Sequence, residues 1–260
     1  MKKKIFLLSF IACSAGVTYF GCDGTVNCID GNGTVKTETR NVGSFTGISS
    51  ESYFDVFIIR DSIEQVIVEA ESNLLPYIQT EVNGSTLSLH EQKHHCLDNN
   101  LPVKITVRVK DLEKVILTGS GNIQGNSEIE TQSLEIDLTG SGNIDMEVDA
   151  QQLEAWLGGS GNIDLGAATN DLKATITGSG DIHIWGETLD SDLTITGSGN
   201  IRAYGLAQDN CYVTISGSGS VYVSVSKYLD VKITGSGSVY YRGTPQVKTT
   251  ITGSGKVVPG

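Results

Sequence analysis

The tripeptide Gly-Ser-Gly begins at positions 119, 140, 159, 178, 197, 217, 235 and 253, so successive copies lie 21, 19, 19, 19, 20, 18 and 18 residues apart. A repeat this short cannot close a hydrophobic core by itself and has to stack on its neighbours. The residues between copies alternate apolar and polar. Leu134-Glu135-Ile136-Asp137-Leu138 precedes one copy, and Ile144-Asp145-Met146-Glu147-Val148 follows it. A period of two over four to six residues marks a strand with one buried face. After residue 21 no stretch carries a helical period. The expected fold is therefore all-β, a parallel β-helix (solenoid) with coils of about 19 residues. At roughly 4.8 Å per coil, eight coils make a rod on the order of 35–40 Å long.

Glycine fits a corner repeated in register, because it reaches positive φ without steric cost. Repetition also stacks the polar positions. The serines of the corners fall above one another, and the next outward column reads Asn122, Asn143, Asn162, Asp181, Asn200, Ser220, Ser238 and Lys256. Stacked Asn side chains can satisfy one another's amides.

Residues 41–115 are less regular but still β-rich, with strands expected around Asp55–Arg60, Gln65–Glu69, Thr86–Leu89 and Val103–Val109. Asn83-Gly84 is a hairpin signal. This region reads as the irregular opening and cap of the solenoid, with the regular repeats at 116–258. A cap is needed because an open end exposes unpaired strand edges.

The N-terminus reads as an export signal. Met1-Lys2-Lys3-Lys4 is basic, and residues 5–20 are apolar but interrupted by Ser9, Ser14 and Thr18, which makes the run too short for a comfortable membrane span. Tyr19-Phe20-Gly21-Cys22 resembles a bacterial lipobox. Residues 1–21 are thus expected to be removed and Cys22 lipidated, with acyl chains anchoring the protein to a membrane. Residues 22–40, rich in Gly, Thr and Asn, are expected to be a flexible tether. Beyond Cys13 and Cys22, the three cysteines Cys28, Cys96 and Cys211 allow one disulfide with one free thiol, or three thiols. A Cys28–Cys96 pairing is conceivable because both flank the N-terminal region.

The formal net charge of −12, without a basic cluster outside the extreme N-terminus, argues against nucleic acid as a partner. Gly-Ser-Gly-Asn is not a phosphate loop, since a strand and not a helix follows each copy. A calcium β-roll would need two glycine corners and regularly spaced Asp in each coil, and both are missing. The outward acids Asp137, Asp145, Glu147 and Asp164 are scattered among Thr and Lys rather than paired for catalysis. His94-His95-Cys96 with Glu91 reads as a polar loop more readily than as a metal site, since neighbouring residues on a strand point to opposite faces. Neither cofactor nor metal is implied. Tyr222 and Tyr240 share one repeat position and should stack on adjacent coils; with Tyr241 they form the candidate ligand or oligomer face.

The stretch from Phe45-Thr46-Gly47-Ile48 through Val107-Arg108-Val109, Leu112-Glu113-Lys114-Val115 and the first Gly119-Ser120-Gly121-Asn122-Ile123 resembles the head GIN domain of auto-transporter adhesins, found in Bacteroidetes-type bacteria. The resemblance spans about residues 41 to 258. It implies a single-stranded right-handed β-helix, carries no catalytic residues, and makes the protein a non-enzymatic adhesin or a polysaccharide- or protein-binding module of the cell envelope. Unlike an auto-transporter, the protein is expected to lack a C-terminal membrane barrel, the sequence ending at Val257-Val258-Pro259-Gly260. Attachment, expected at the outer membrane, would fall to lipid on Cys22, with the membrane face left open. The competing readings are a periplasmic structural component, self-associating through a coil end or the Tyr face, and a carbohydrate-active enzyme.

Overall fold

The computed structural model describes residues 28–260. Both the export signal expected at 1–21 and the lipidated Cys22 lie outside this range. The described chain is a β-solenoid with one glycine corner per coil. The strands of the opening are β1 (Cys28–Asp30), β2 (Val35–Arg40), β3 (Gly47–Ser50), β4 (Asp55–Arg60), β5 (Gln65–Glu71), β6 (Ile78–Asn83), β7 (Thr86–Glu91), β8 (Cys96–Asp98) and β9 (Lys104–Val109). The regular coils contain β10 (Lys114–Gly119), β11 (Asn122–Gly125), β12 (Ile129–Gly140), β13 (Asn143–Gly159), β14 (Asn162–Gly178), β15 (Asp181–Gly197), β16 (Asn200–Gly217), β17 (Ser220–Gly235), β18 (Ser238–Arg242), β19 (Gln246–Gly253) and β20 (Lys256–Pro259).

Each regular coil has two arms. Arm 1 ends at the glycine corner and arm 2 begins there. In β13 the alternation of buried residues runs through Ile144, Met146, Val148 and Ala150, then slips by one at the exposed pair Gln151-Gln152. It resumes at Leu153, Ala155 and Leu157. One slip of phase turns the side chains back toward the core, so the second corner needs no glycine. Inward threonines stabilise this corner. Thr169 donates to the carbonyls of Gln151 (3.1 Å) and Asp171 (3.2 Å), and Thr188 to those of Asn170 and Asp190 (both 3.1 Å).

The parallel register is strict, with Gly140 on Gly159, Gly178 and Gly197 in turn. Buried columns follow, such as Ile144, Ile163, Ile182, Ile201, Val221 and Val239. Cys211, a free thiol, stands in the column Leu153, Leu172, Ser191, Cys211, Leu229. Burial pushes its thiol up to about 12, the behaviour of an inert core residue.

The two glycines of a corner are required for different reasons. Gly159 has φ +138, where a side chain is strained. Gly161 has no such angle, but a Cβ there would lie 2.2 Å from the Gly142 carbonyl oxygen of the coil below. Close approach is needed because the Gly140 carbonyl accepts from both Ser160 (2.9 Å) and Gly161 (3.1 Å) of the next coil. Outside the corner the amide ladder is present too: Asn143 donates to Asn122 and Asn162 to Asn143, both at 3.0 Å. Asp181 ends it, having no N–H to offer Asn162.

The opening does not follow chain order. The coil β3–β4 lies between the coil β7–β9, which comes later in the chain, and the coil β10–β11. Antiparallel strands then close that end, with β6 on β7, and with β5 on β9 and β2 on β5. The Asn83-Gly84 hairpin forms as expected, with Gly84 at φ +64. The expected tether is corrected for its described part. From Cys28 onward it holds β1, paired with β8 through a Cys28–Cys96 disulfide, and β2 in the cap. Closing a separation of 68 residues contributes about 4 kcal/mol on chain-entropy grounds. Glu71, fully buried, ties the same region together by accepting from the backbone N–H of Gly33, Asn100 (2.8 Å) and Leu101 (3.3 Å). The opposite end is open. Val247 and Ile251 of β19, at inward positions, remain 36% and 41% exposed. Lys248, Lys256 and Pro259 on these edge strands blunt further pairing.

Two outcomes are expected. Gly161→Ala should destabilise by about 1–3 kcal/mol through overpacking alone. Gly159→Ala should cost about 1–3 kcal/mol more through backbone strain, whereas Ser160→Ala should be near neutral; denaturant unfolding of the three variants measures the order. For Glu71, burial raises the pKa, but the bonds from Gly33, Asn100 and Leu101 outweigh it and hold it below the ordinary 4.5. A depressed folded pKa gives stability that is present above the unfolded value and lost as pH falls through the folded one. Wild type should therefore exceed Glu71→Gln in stability at pH 7, and the gap should close below about pH 4.5. A gap independent of pH would refute this assignment.

Candidate functional site

Side chains at the fifth and seventh residues after the start of each Gly-Ser-Gly point outward on arm 2. The fifth-residue column reads Gln124, Asp145, Asp164, His183, Arg202, Tyr222 and Tyr240. Tyr222 and Tyr240 stack as expected, with ring centroids 5.0 Å apart and planes within 10°. The seventh-residue positions hold Glu147, Gly166, Trp185, Tyr204, Ser224 and Arg242. Tyr204 meets Tyr222 edge-on at 5.5 Å, and the Arg242 guanidinium carbon sits 4.0 Å above the Tyr204 ring. Trp185 lies 5.3 Å from the His183 ring, and its indole covers Gly166, where a Cβ would come within 2.9 Å of the indole nitrogen.

The tyrosines of the last coils divide by direction. Tyr241 pairs in register with the buried Val223 and packs against the core, so it does not share a face with Tyr222 and Tyr240. A strand alternates, and adjacent residues cannot both point outward. Tyr212 and Tyr228 form a separate tilted pair at 6.1 Å beside the second corner. Trp185, Tyr204 and Arg242 belong to the Tyr222–Tyr240 face but were not among the residues expected there. Their signal was the count from the corner. Register shifts between His183 and Trp185, and between Ala203 and Ala207, keep them from lining up as a continuous ladder.

Charge is distributed unevenly along this face. The early coils carry Asp145, Glu147, Asp164 and Asp181, and burial together with Asp164 and Glu147 raises the Asp145 pKa. From residue 197 onward arm 2 carries Arg202, Arg242 and Lys256 and no acid. Asp181 marks the boundary. It accepts from Arg202 at 2.6 Å and from the Asn200 amide at 2.8 Å; burial alone would raise its pKa, but these bonds hold it below the usual carboxylate value. Arm 1 mixes the two signs along its length, with several cross-coil ion pairs, although Glu135 also faces Glu154 in register. Lys114 pairs with Glu135, Lys173 with Glu154 and Lys248 with Asp230.

The remaining surface carries several shallow grooves, including these at the second corner. One, of about 300 Å³, is lined by Leu153, Leu172, Asp190, Ser191 and Tyr212. The other, of about 780 Å³, is bordered by Glu130, Asp149 and Glu187. At the cap, Cys96 is in its disulfide and the His95 ring lies 4.9 Å from Tyr77. Among the described residues no three His, Cys, Asp or Glu side chains converge on a point that could hold a metal ion, and no helix is long and apolar enough to cross a membrane.

The family model described as "Putative auto-transporter adhesin, head GIN domain" matches residues 44–184 and 153–245. Among solved structures, a "putative lipid binding protein" from Parabacteroides distasonis ATCC 8503 is 27% identical, with a TM-score of 0.85 over 90% of this chain and 100% of that one. A "putative adhesin" from Parabacteroides merdae ATCC 43184 is 25% identical, with a TM-score of 0.82 over 90% and 99%. A second P. distasonis "putative adhesin", at 24% identity and TM-score 0.85, shares the fold. No curated protein matches.

Proposed function

The chain belongs to the head GIN domain family of auto-transporter adhesins, and from that premise we propose that it is a non-enzymatic adhesin-type module of the cell envelope, binding a polysaccharide or protein through arm 2. The observation that carries this reading is the connected group Arg242–Tyr204–Tyr222–Tyr240 on an outward sheet face. Aromatic rings and guanidinium groups are the side chains that dominate recognition surfaces. An enzyme would need a concave site with convergent polar groups, and the carboxylates of this face are strung along the coils. The structural relatives are named as adhesins or a lipid-binding protein, which agrees with a binding role.

The lipobox-like Tyr19-Phe20-Gly21-Cys22 places the anchor ahead of the cap, so the rod would stand away from the membrane with its open end outermost. Lipid on Cys22 would hold the protein at the outer membrane. An assembly role within the periplasm is the competing reading, and orientation separates the two.

Protease shaving of intact cells is expected to remove the solenoid while a periplasmic control survives; digestion only after lysis would defeat the adhesin reading in favour of a periplasmic role. Cys22→Ala should shift the protein from the detergent phase to the aqueous phase on partitioning. Unchanged partitioning would remove the lipid anchor from the account.

A further inference from the structure

The late-coil half of arm 2 combines three features that folding alone does not require. It holds Arg202, Arg242 and Lys256, of which only Arg202 is paired with an acid, the bordering Asp181, in a chain of net charge −12. Its rings are partly covered: Tyr222 and Tyr240 each cover one face of the other, and Arg242 covers one face of Tyr204. Beside the rings it shows phenol hydroxyls, guanidinium N–H groups and an ammonium, with Ser220 and Ser238 alongside. Finally, its polar groups recur once per coil, about every 4.8 Å, beside a shallow groove of about 240 Å³ lined by Arg202, His183 and Asp181.

These features select a ligand class. A neutral sugar is held largely by stacking on open aromatic faces, and here Tyr204, Tyr222 and Tyr240 each give one face to a neighbour within the chain. An array of donors, three of them cationic, favours acceptors that carry negative charge, and guanidinium matches a carboxylate in two-point geometry. Small ligands take deep concave pockets, whereas groups repeated from coil to coil suit an extended polymer. We propose that Arg202, Tyr204, Tyr222, Tyr240, Arg242 and Lys256 bind an acidic polysaccharide of the polyuronate class, laid along the solenoid axis. Arg202 holds its outward position by its bond to Asp181, and the acids Asp145, Glu147 and Asp164 of the earlier coils end the site by repulsion. This inference rests on the binding-module reading and adds to it the chemistry of the ligand.

The test is binding of the full-length protein in detergent to polygalacturonate, with a neutral galactan, single-stranded DNA and anionic lipid vesicles as comparisons. Polygalacturonate should bind, and binding should weaken at least about fivefold between 50 and 300 mM salt, as screening of partly exposed charges requires. The combined variant R202Q, R242Q and K256Q should lose about tenfold or more in affinity, while Lys173→Gln on arm 1 changes nothing. Because the triple variant could misfold, D145K with D164K supplies the converse, since it extends the cationic column and should strengthen binding. Equal binding of galactan, or tighter binding of DNA or vesicles, would overturn the ligand class. So would unchanged affinity in both variants, or no binding to polygalacturonate. Any of these leaves the shaving result standing, and protection from shaving in a protein that binds polygalacturonate defeats surface adhesion but not this inference.

Discussion

The structure depends on the close approach of glycine carbonyls at one corner. The Gly140 oxygen accepts two N–H groups from the coil above it, and a Cβ at either glycine of that coil would fall within 2.3 Å of a glycine oxygen of the coil below. A corner stacked this tightly fixes register as well as direction. A slip by one residue would turn every apolar side chain of both arms to solvent. The buried columns of Ile, Leu and Val follow from the corner, and they in turn bury enough apolar surface to hold the stack.

Once register is fixed, the outward positions become columns whose contents are free to vary. Arm 1 intersperses the two signs, with Lys114 against Glu135 and Lys173 against Glu154, while Glu135 and Glu154 face each other between them. Partly exposed pairs of this kind contribute little to stability. Arm 2 instead collects acids early and bases late, a distribution that the corner does not impose.

Much of this was legible in the spacing of the glycines. The coil length, the parallel stacking, the Asn ladder from Asn122 to Asn162 and the Tyr222–Tyr240 stack all follow from counting residues. What escaped the count depends on events with no periodic signal. The second corner is a phase slip at Gln151-Gln152, invisible where the apolar residues are as small as Ala150 and Ala155. The insertion of β3–β4 between two coils later in the chain is a long-range pairing, and no local pattern encodes which partner a parallel strand takes. The stretch from Cys28 to Arg40 looked like a tether because it is polar on both faces. It is ordered by partners elsewhere, namely β5, Cys96 and the Glu71 carboxylate.

Tyr241 shows how the same logic bears on function. Composition groups it with Tyr222 and Tyr240, but alternation sends it to the core, while Trp185, Tyr204 and Arg242 reach the outer face from sequence positions that look unrelated. A solenoid face is therefore a two-dimensional surface written in one dimension, with one residue in two along a strand and one coil in the other direction. Changing a single outward residue alters that surface at one point without touching the corner or the core. Within such a scaffold the fold constrains the inward half of each coil. The chemistry presented to a ligand is left to the outward half, where the arm 2 gradient from Asp145 to Arg242 lies.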